Sequence, residues 1–110
     1  MSDAKIRAIV KRPDEKYGHV TNISNTLKNF QKIVDGPIQV VPITQDTVCI
    51  CNEGGKLRGL QRNFVMTYTS VPAFDVICGN AIIVGVDGED FCDCPLELSS
   101  WKALLKKWGN

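Results

Sequence analysis

Apolar and polar positions divide the chain into segments of two different periods. Ile6, Ala8 and Val10 alternate with Lys5, Arg7 and Lys11, which predicts a half-buried first strand ending at Pro13. Asp14 to His19 is polar, contains Gly18 and reads as a loop. Ile23, Leu27, Phe30 and Val34 then recur at helical spacing, with Ile33 beside them. Thr21, Asn22 and Ser24 offer N-caps for that helix. Gly36 stands just past its end and Pro37 forbids continuation. Ile38 to Ile43 reads as a second strand, with Pro42 marking an edge or a bend.

The pattern then turns on one dense cluster of turn residues and charges, Cys51 to Asn63. Thr47–Cys51 is β-prone and Lys56–Leu60 reads as a strand returning beside it, so a β-hairpin is expected. Two turns fit. In one, Asn52 opens a type I turn and Gly55 takes the left-handed conformation as a bulge. In the other, Gly54-Gly55 forms a two-residue turn that sets Glu53 opposite Lys56. Arg62 to Phe74 has no clear period and is expected to be a long loop, with a short strand at Val65–Tyr68. Val76-Ile77 and Ala81–Val86 carry the most buried strand character, interrupted by Gly79-Asn80. The last element is a helix. Trp101, Leu104, Leu105 and Trp108 fall on one stripe, Ser99 or Ser100 is the expected cap, and Gly109 closes it.

Strand, helix, several strands and helix predict an α+β domain spanning residues 1–110. Its mainly antiparallel sheet is expected to have about five strands, with two helices packed on one face. At 110 residues the chain is long enough for one modest core. Its net charge of +1 argues against a strongly basic nucleic-acid binder and against an acidic nucleic-acid mimic. Direct nucleic-acid binding is therefore not expected. No apolar run approaches membrane length and no signal peptide opens the chain, so the cytoplasm is the expected compartment and no membrane partner is foreseen.

Candidate chemistry is sparse. Cys49-x-Cys51 and Cys92-x-Cys94 each put two thiols on one side of an extended strand. Four thiolates would suit tetrahedral zinc, but structural zinc sites use wider spacings set by a tight turn. No metal is expected, nor are disulfides in a reducing cytosol. The acidic run from Asp87 to Asp93 lacks the ligand pattern of a calcium loop and reads as a solvated entry to the last helix. The single histidine, His19, has no nucleophile motif around it, and neither phosphate-loop fingerprint occurs. No catalytic residue and no cofactor are expected.

What remains is the cluster itself. Asn52, Glu53, Lys56, Arg58, Arg62, Asn63 and Asp75 are polar groups near the turn and the irregular segment, and Phe64 and Tyr68 add aromatic surface. These nine residues are the candidate binding set. Loops on a rigid scaffold carry function disproportionately. The plainer reading is that Asn52 and Gly55 form a turn, Asn63 caps loop backbone and the charges are solvated.

Cys-Asn-Glu-x-Gly-Lys-Leu-x-Gly-Leu-x-x-Asn, residues 51–63, resembles the signature of a family of small uncharacterised proteins encoded by phages, plasmids and other mobile elements, mostly of Firmicutes. Lys5–Pro13 is similar to the family's opening strand, Leu27–Val41 to its helix, glycine and strand, and Asp75–Gly79 to its Asp-Ile-Ile-x-Gly element. The family's constant glycine falls on Gly55, which favours the bulged turn. Gln61 and Phe64 depart from the proline and arginine usual there. The family has no established general activity; small size, the lack of a catalytic constellation and the mobile-element resemblance together lead us to expect a non-catalytic accessory protein that binds and blocks a host factor, such as a CRISPR or other defence protein, in the host cytoplasm. The alternatives are a binder that sequesters a nucleotide-like signal through Lys56, Arg58 and Arg62, or a small enzyme acting on such a ligand.

Overall fold

Two layers of side chains flank a central sheet whose inner strands are apolar on both faces. The computed structural model describes residues 4–67 and 74–110. The strands of the main sheet are Lys5–Lys11 (β1), His19–Ser24 (β2), Ile38–Thr44 (β3), Thr47–Asn52 (β4), Ala81–Asp87 (β7) and Asp90–Cys92 (β8). They lie in the order β2-β1-β7-β4-β3, and β8 pairs with β7. Arg62–Thr67 (β5) and Phe74–Cys78 (β6) form a separate two-stranded sheet. All of these pairings are antiparallel. The helices are Leu27–Val34 (α1) and Leu98–Lys107 (α2). The α+β class, the antiparallel sheet and the two helices agree with the sequence. No helix among the described residues is long and apolar enough to cross a membrane.

The two helices do not share a face, contrary to expectation. Register aligns Ile9, Ile83, Cys49 and Val41 across neighbouring strands, and that row packs with Trp101 and Leu105 of α2 and Phe64, Met66 and Ile77 of β5 and β6. Val10, Ile82 and Ile50 form the opposite row and pack with Phe30 and Val34 of α1. Every residue of β4 is buried, as are Ala81 to Gly85 of β7. A strand buried on both sides reads as a continuous apolar run without alternation. Both faces then need a cover, and one helix goes to each.

Four further expectations change. His19–Ser24 is an edge strand, not loop and helix entry. Only Ile23 of it is buried, so its alternation is faint. The cap of α1 is Thr26, whose hydroxyl accepts the Asn29 N–H at 3.2 Å. Asp90–Cys92 is a short strand that occupies the gap where β1 and β7 diverge; the next residues continue it, with Cys94 N–H donating to Arg7 C=O. Helix α2 begins after Glu97, ahead of both serines, and has no side-chain cap. Its stripe is as expected: Trp101 and Leu105 are buried and Leu104 and Trp108 half-buried. Pro42 does sit on an edge strand, beside a register shift.

Candidate functional site

The cluster at 51–63 does not form a hairpin. β4 already has β3 on one side and β7 on the other, so Lys56–Leu60 has no edge of β4 to pair with. The backbone coils instead into one helical turn. Arg58 N–H donates to Gly54 C=O at 2.9 Å, Leu60 N–H to Gly55 C=O at 2.9 Å and Gly59 N–H to Lys56 C=O at 3.2 Å. The last two bonds are the nested pair of a Schellman motif, and Gly59 supplies its left-handed residue at φ 69°. Neither Gly54 nor Gly55 has positive φ, so neither the bulged turn, which needs it at Gly55, nor the two-residue turn, which needs it at Gly54, is formed. The constraint at Gly55 is close approach: a Cβ there would stand 3.0 Å from Cys78 C=O and 3.4 Å from the Cys78 Cβ. Gly55→Val is therefore expected to destabilise by about 1–3 kcal/mol through overpacking. Gly54→Ala, whose nearest neighbour is 3.8 Å away, should leave the urea midpoint unchanged. Equal damage from both would rule out this packing.

Asn52 ties this turn to the end of α1. It is buried, and its amide donates to Val34 C=O and Asp35 C=O, each at 3.0 Å, while its carbonyl accepts Gly54 N–H at 2.8 Å. Arg58 reaches the same place, donating to Asp35 C=O and pairing with the Asp35 carboxylate at 3.1 Å. Asp35 has left-handed backbone at φ 64°, an uncommon state for a side-chain-bearing residue, and these two side chains hold its carbonyl. Gly36 has to be glycine for the same reason, since a Cβ would stand 2.8 Å from the Asn52 amide nitrogen.

The turn roofs a cleft of about 330 Å³. Gln39 and Val41 of β3 and Cys51 and Asn52 of β4 form one wall, Glu53, Gly55, Lys56 and Leu57 of the turn another, and Asp75 to Cys78 of β6 the third. Cys49 and Cys51 face the same side of β4, and both are buried. The neighbouring Cys51 thiol and then burial push the Cys49 thiol well up. The Cys49 thiol beside it is the main influence lowering Cys51. Burial and the Asp75 charge oppose it, and the Lys56 ammonium assists it.

Of the nine candidate residues, Asn52, Glu53, Lys56 and Asp75 meet at the cleft. Arg58 is turned onto Asp35, and Arg62 is an exposed residue opening β5. Asn63 is an internal tie, donating to Lys11 C=O and Gly79 C=O at 2.8 Å each. Phe64 is a core residue, not a surface anchor. It stacks on Trp108 at 6.2 Å and meets Trp101 edge-on at 5.4 Å, because alternation along β5 turns Phe64 and Met66 inward. Tyr68 lies outside the described residues. Gln39, Cys51 and Cys78 line the cleft without having been among the candidates. Only Cys51 carried a sequence signal, its place in the signature.

Lys11 is the other unexpected residue. It is only 3% exposed, donates to the Asn63 carbonyl oxygen at 2.6 Å and lies 5.7 Å from the Phe64 ring centroid. Burial holds its pKa below the ordinary lysine range, against the pull of Glu15 and Asp14. Among the described residues no three His, Cys, Asp or Glu side chains converge as a metal site.

A family model described as a domain of unknown function, DUF3846, matches residues 6–108. The chain belongs to this family. No curated protein and no solved structure matches it. The DUF3846 match spans all ten elements apart from the first residue of β1, so the signature turn and every wall of the cleft lie within the family domain.

Proposed function

We propose that this DUF3846 protein is a non-catalytic binding protein that captures a small polar ligand in the signature cleft. The observation that supports this is the convergence of Glu53, Lys56 and Asp75 on one concavity of ligand size, beneath a turn that Asn52 holds in place. Among the described lining residues one cation faces two carboxylates. That balance disfavours a polyphosphate and suits a ligand carrying an amino group beside one anionic or carbonyl group, of amino-acid to nucleoside size. The test is calorimetry in the cytosol-like reducing buffer against amino acids, nucleosides and nucleoside monophosphates. Lys56→Ala and Glu53→Gln should each weaken the binder found by roughly 10- to 100-fold, the worth of one charge-assisted hydrogen bond. Undiminished binding in the double variant would sink this reading.

One feature supports a second reading, in which the chain blocks a host protein such as a defence factor in the host cytoplasm. Leu57 is 97% exposed at the rim of the cleft, between Lys56 and Arg58. A leucine held out on a fixed turn suits a partner's apolar pocket. In that case Leu57→Asp would abolish inhibition while leaving small-ligand binding intact, and the effect of the wild type would saturate at stoichiometric amounts.

A further inference from the structure

One stretch of backbone on the cleft wall makes no hydrogen bond within the chain. In an antiparallel pair, directly opposed residues either exchange both backbone hydrogen bonds or turn both sets away from each other. Val65 of β5 stands opposite Val76 of β6. That pair is of the second kind, because the Asn110 side-chain amide takes the Val65 N–H at 2.9 Å and the Val65 C=O at 2.8 Å. The Val76 N–H and C=O therefore also point away from their partner strand. Gly79 gives the same phase. Its N–H donates to Gln61 C=O at 2.7 Å, so alternation sends the backbone groups of Cys78 and Val76 to the open edge of β6. Cys78 is covered there, with Gly55 closing against its carbonyl oxygen. Val76 lines the cleft, and among the described residues no hydrogen bond from outside the β5–β6 pair reaches its N–H or C=O.

We infer that the cleft takes a short extended peptide, whose central residue pairs with Val76 as an added strand. The inference rests on the capture of a small polar ligand proposed above and names its class. The peptide N–H donates to Val76 C=O, and the peptide C=O accepts Val76 N–H. The chain already makes this contact on the other edge of the same ribbon, where the Asn110 amide serves Val65 in both senses. The charges on the walls suit the two ends of such a ligand. Glu53 and Asp75 favour its ammonium and Lys56 its carboxylate. An extended tripeptide is roughly 10 Å long. A cleft of about 330 Å³ is at the low end for ligand pockets, which limits the peptide to small side chains.

The experiment titrates the full chain with trialanine by calorimetry and follows the Val76 amide by NMR. Trialanine should bind about tenfold more tightly than alanine, which has charged ends but no amide to pair. The Val76 N–H should move downfield and exchange more slowly with solvent. Replacing the central alanine of the ligand by lactic acid turns its N–H into an ester oxygen at nearly unchanged shape. That ester should bind about tenfold more weakly, because Val76 C=O then faces an oxygen. Val76→Pro removes the receiving N–H. Since that N–H has no partner in β5, the variant should keep its circular dichroism and lose trialanine. Equal binding of trialanine and the ester, or a Val76 amide that does not respond, would overturn the inference. If an amino acid or a nucleoside binds in a Lys56-dependent way while trialanine does not, the peptide class fails and the capture of a polar ligand stands. If neither these nor trialanine binds, both are overturned.

Discussion

Trp101→Ala is expected to cost about 3–5 kcal/mol, close to the whole margin of a small domain, and to leave much of the chain unfolded at room temperature. Three losses add in the same direction. The indole is fully buried on the face shared by the sheet, β5 and β6, so its removal leaves a cavity that rigid neighbours fill poorly. Its ring meets Phe64 edge-on at 5.4 Å and Trp108 at 5.8 Å, and both aromatic contacts disappear. Its N–H donates to Tyr17 C=O at 2.8 Å, an acceptor in the 12–18 loop that loses this donor. The loop and α2 are thus joined through one side chain. Urea denaturation followed by circular dichroism reads the effect. A midpoint shift under about 1 kcal/mol would show that this indole does not anchor the core.

Asn52→Asp should be nearly as damaging, although only one atom group changes. The asparagine amide nitrogen donates to two carbonyl oxygens, Val34 and Asp35, at the end of α1. An aspartate places an acceptor there, negatively charged and against the negative end of a helix dipole. Two favourable contacts become repulsions inside a buried site, at a cost of about 3 kcal/mol or more at neutral pH. The sign with pH follows. The folded state holds this carboxyl protonated to a higher pH than the unfolded chain does. The loss is therefore full at neutral pH and shrinks as pH falls through the raised folded value, where the protonated acid donates again. A loss independent of pH would point to altered packing, not to charge. A carboxylate oxygen still accepts Gly54 N–H, so the damage falls on the contacts with the end of α1.

The strongly periodic elements were legible in the sequence. β1, α2 and the strand from Ala81 follow directly from their spacing, and Pro42 correctly marks an edge. Two kinds of information were not legible. Partner choice was one: nothing in Thr47–Cys51 tells that β4 is central, with both edges taken, so the glycines at 54, 55 and 59 looked like a hairpin turn and not like a helical turn with its terminator. Sidedness was the other. An apolar run such as Ala81-Ile82-Ile83-Val84 has no polar face to orient it, so the helices could not be assigned to opposite sides. The site was legible in part for the same reason. Asn52, Glu53 and Lys56 are contiguous with the turn, and Asp75 stood out as a nearby charge. Gln39 and Cys78 come to the cleft through strand pairings that sequence spacing does not encode.

The sheet is one strand thick between its two covers, and this divides the chain's freedom to change. Ile82 and Ile83 are neighbours in sequence and yet belong to different packed bodies. The side under α1 is closed by Phe30 meeting Phe91 edge-on and holds none of the cleft apart from the Asn52 tie. Relatives can drift there by compensating volume alone. The other side has to accommodate packing and binding together, so a residue such as Val41 or Ile77, which serves the core and also walls the cleft, answers to two demands at once. Differences in what family members bind should therefore be written on β3, β6 and the turn, with the α1 side, apart from its Val34 and Asp35 tie to the turn, freer to vary.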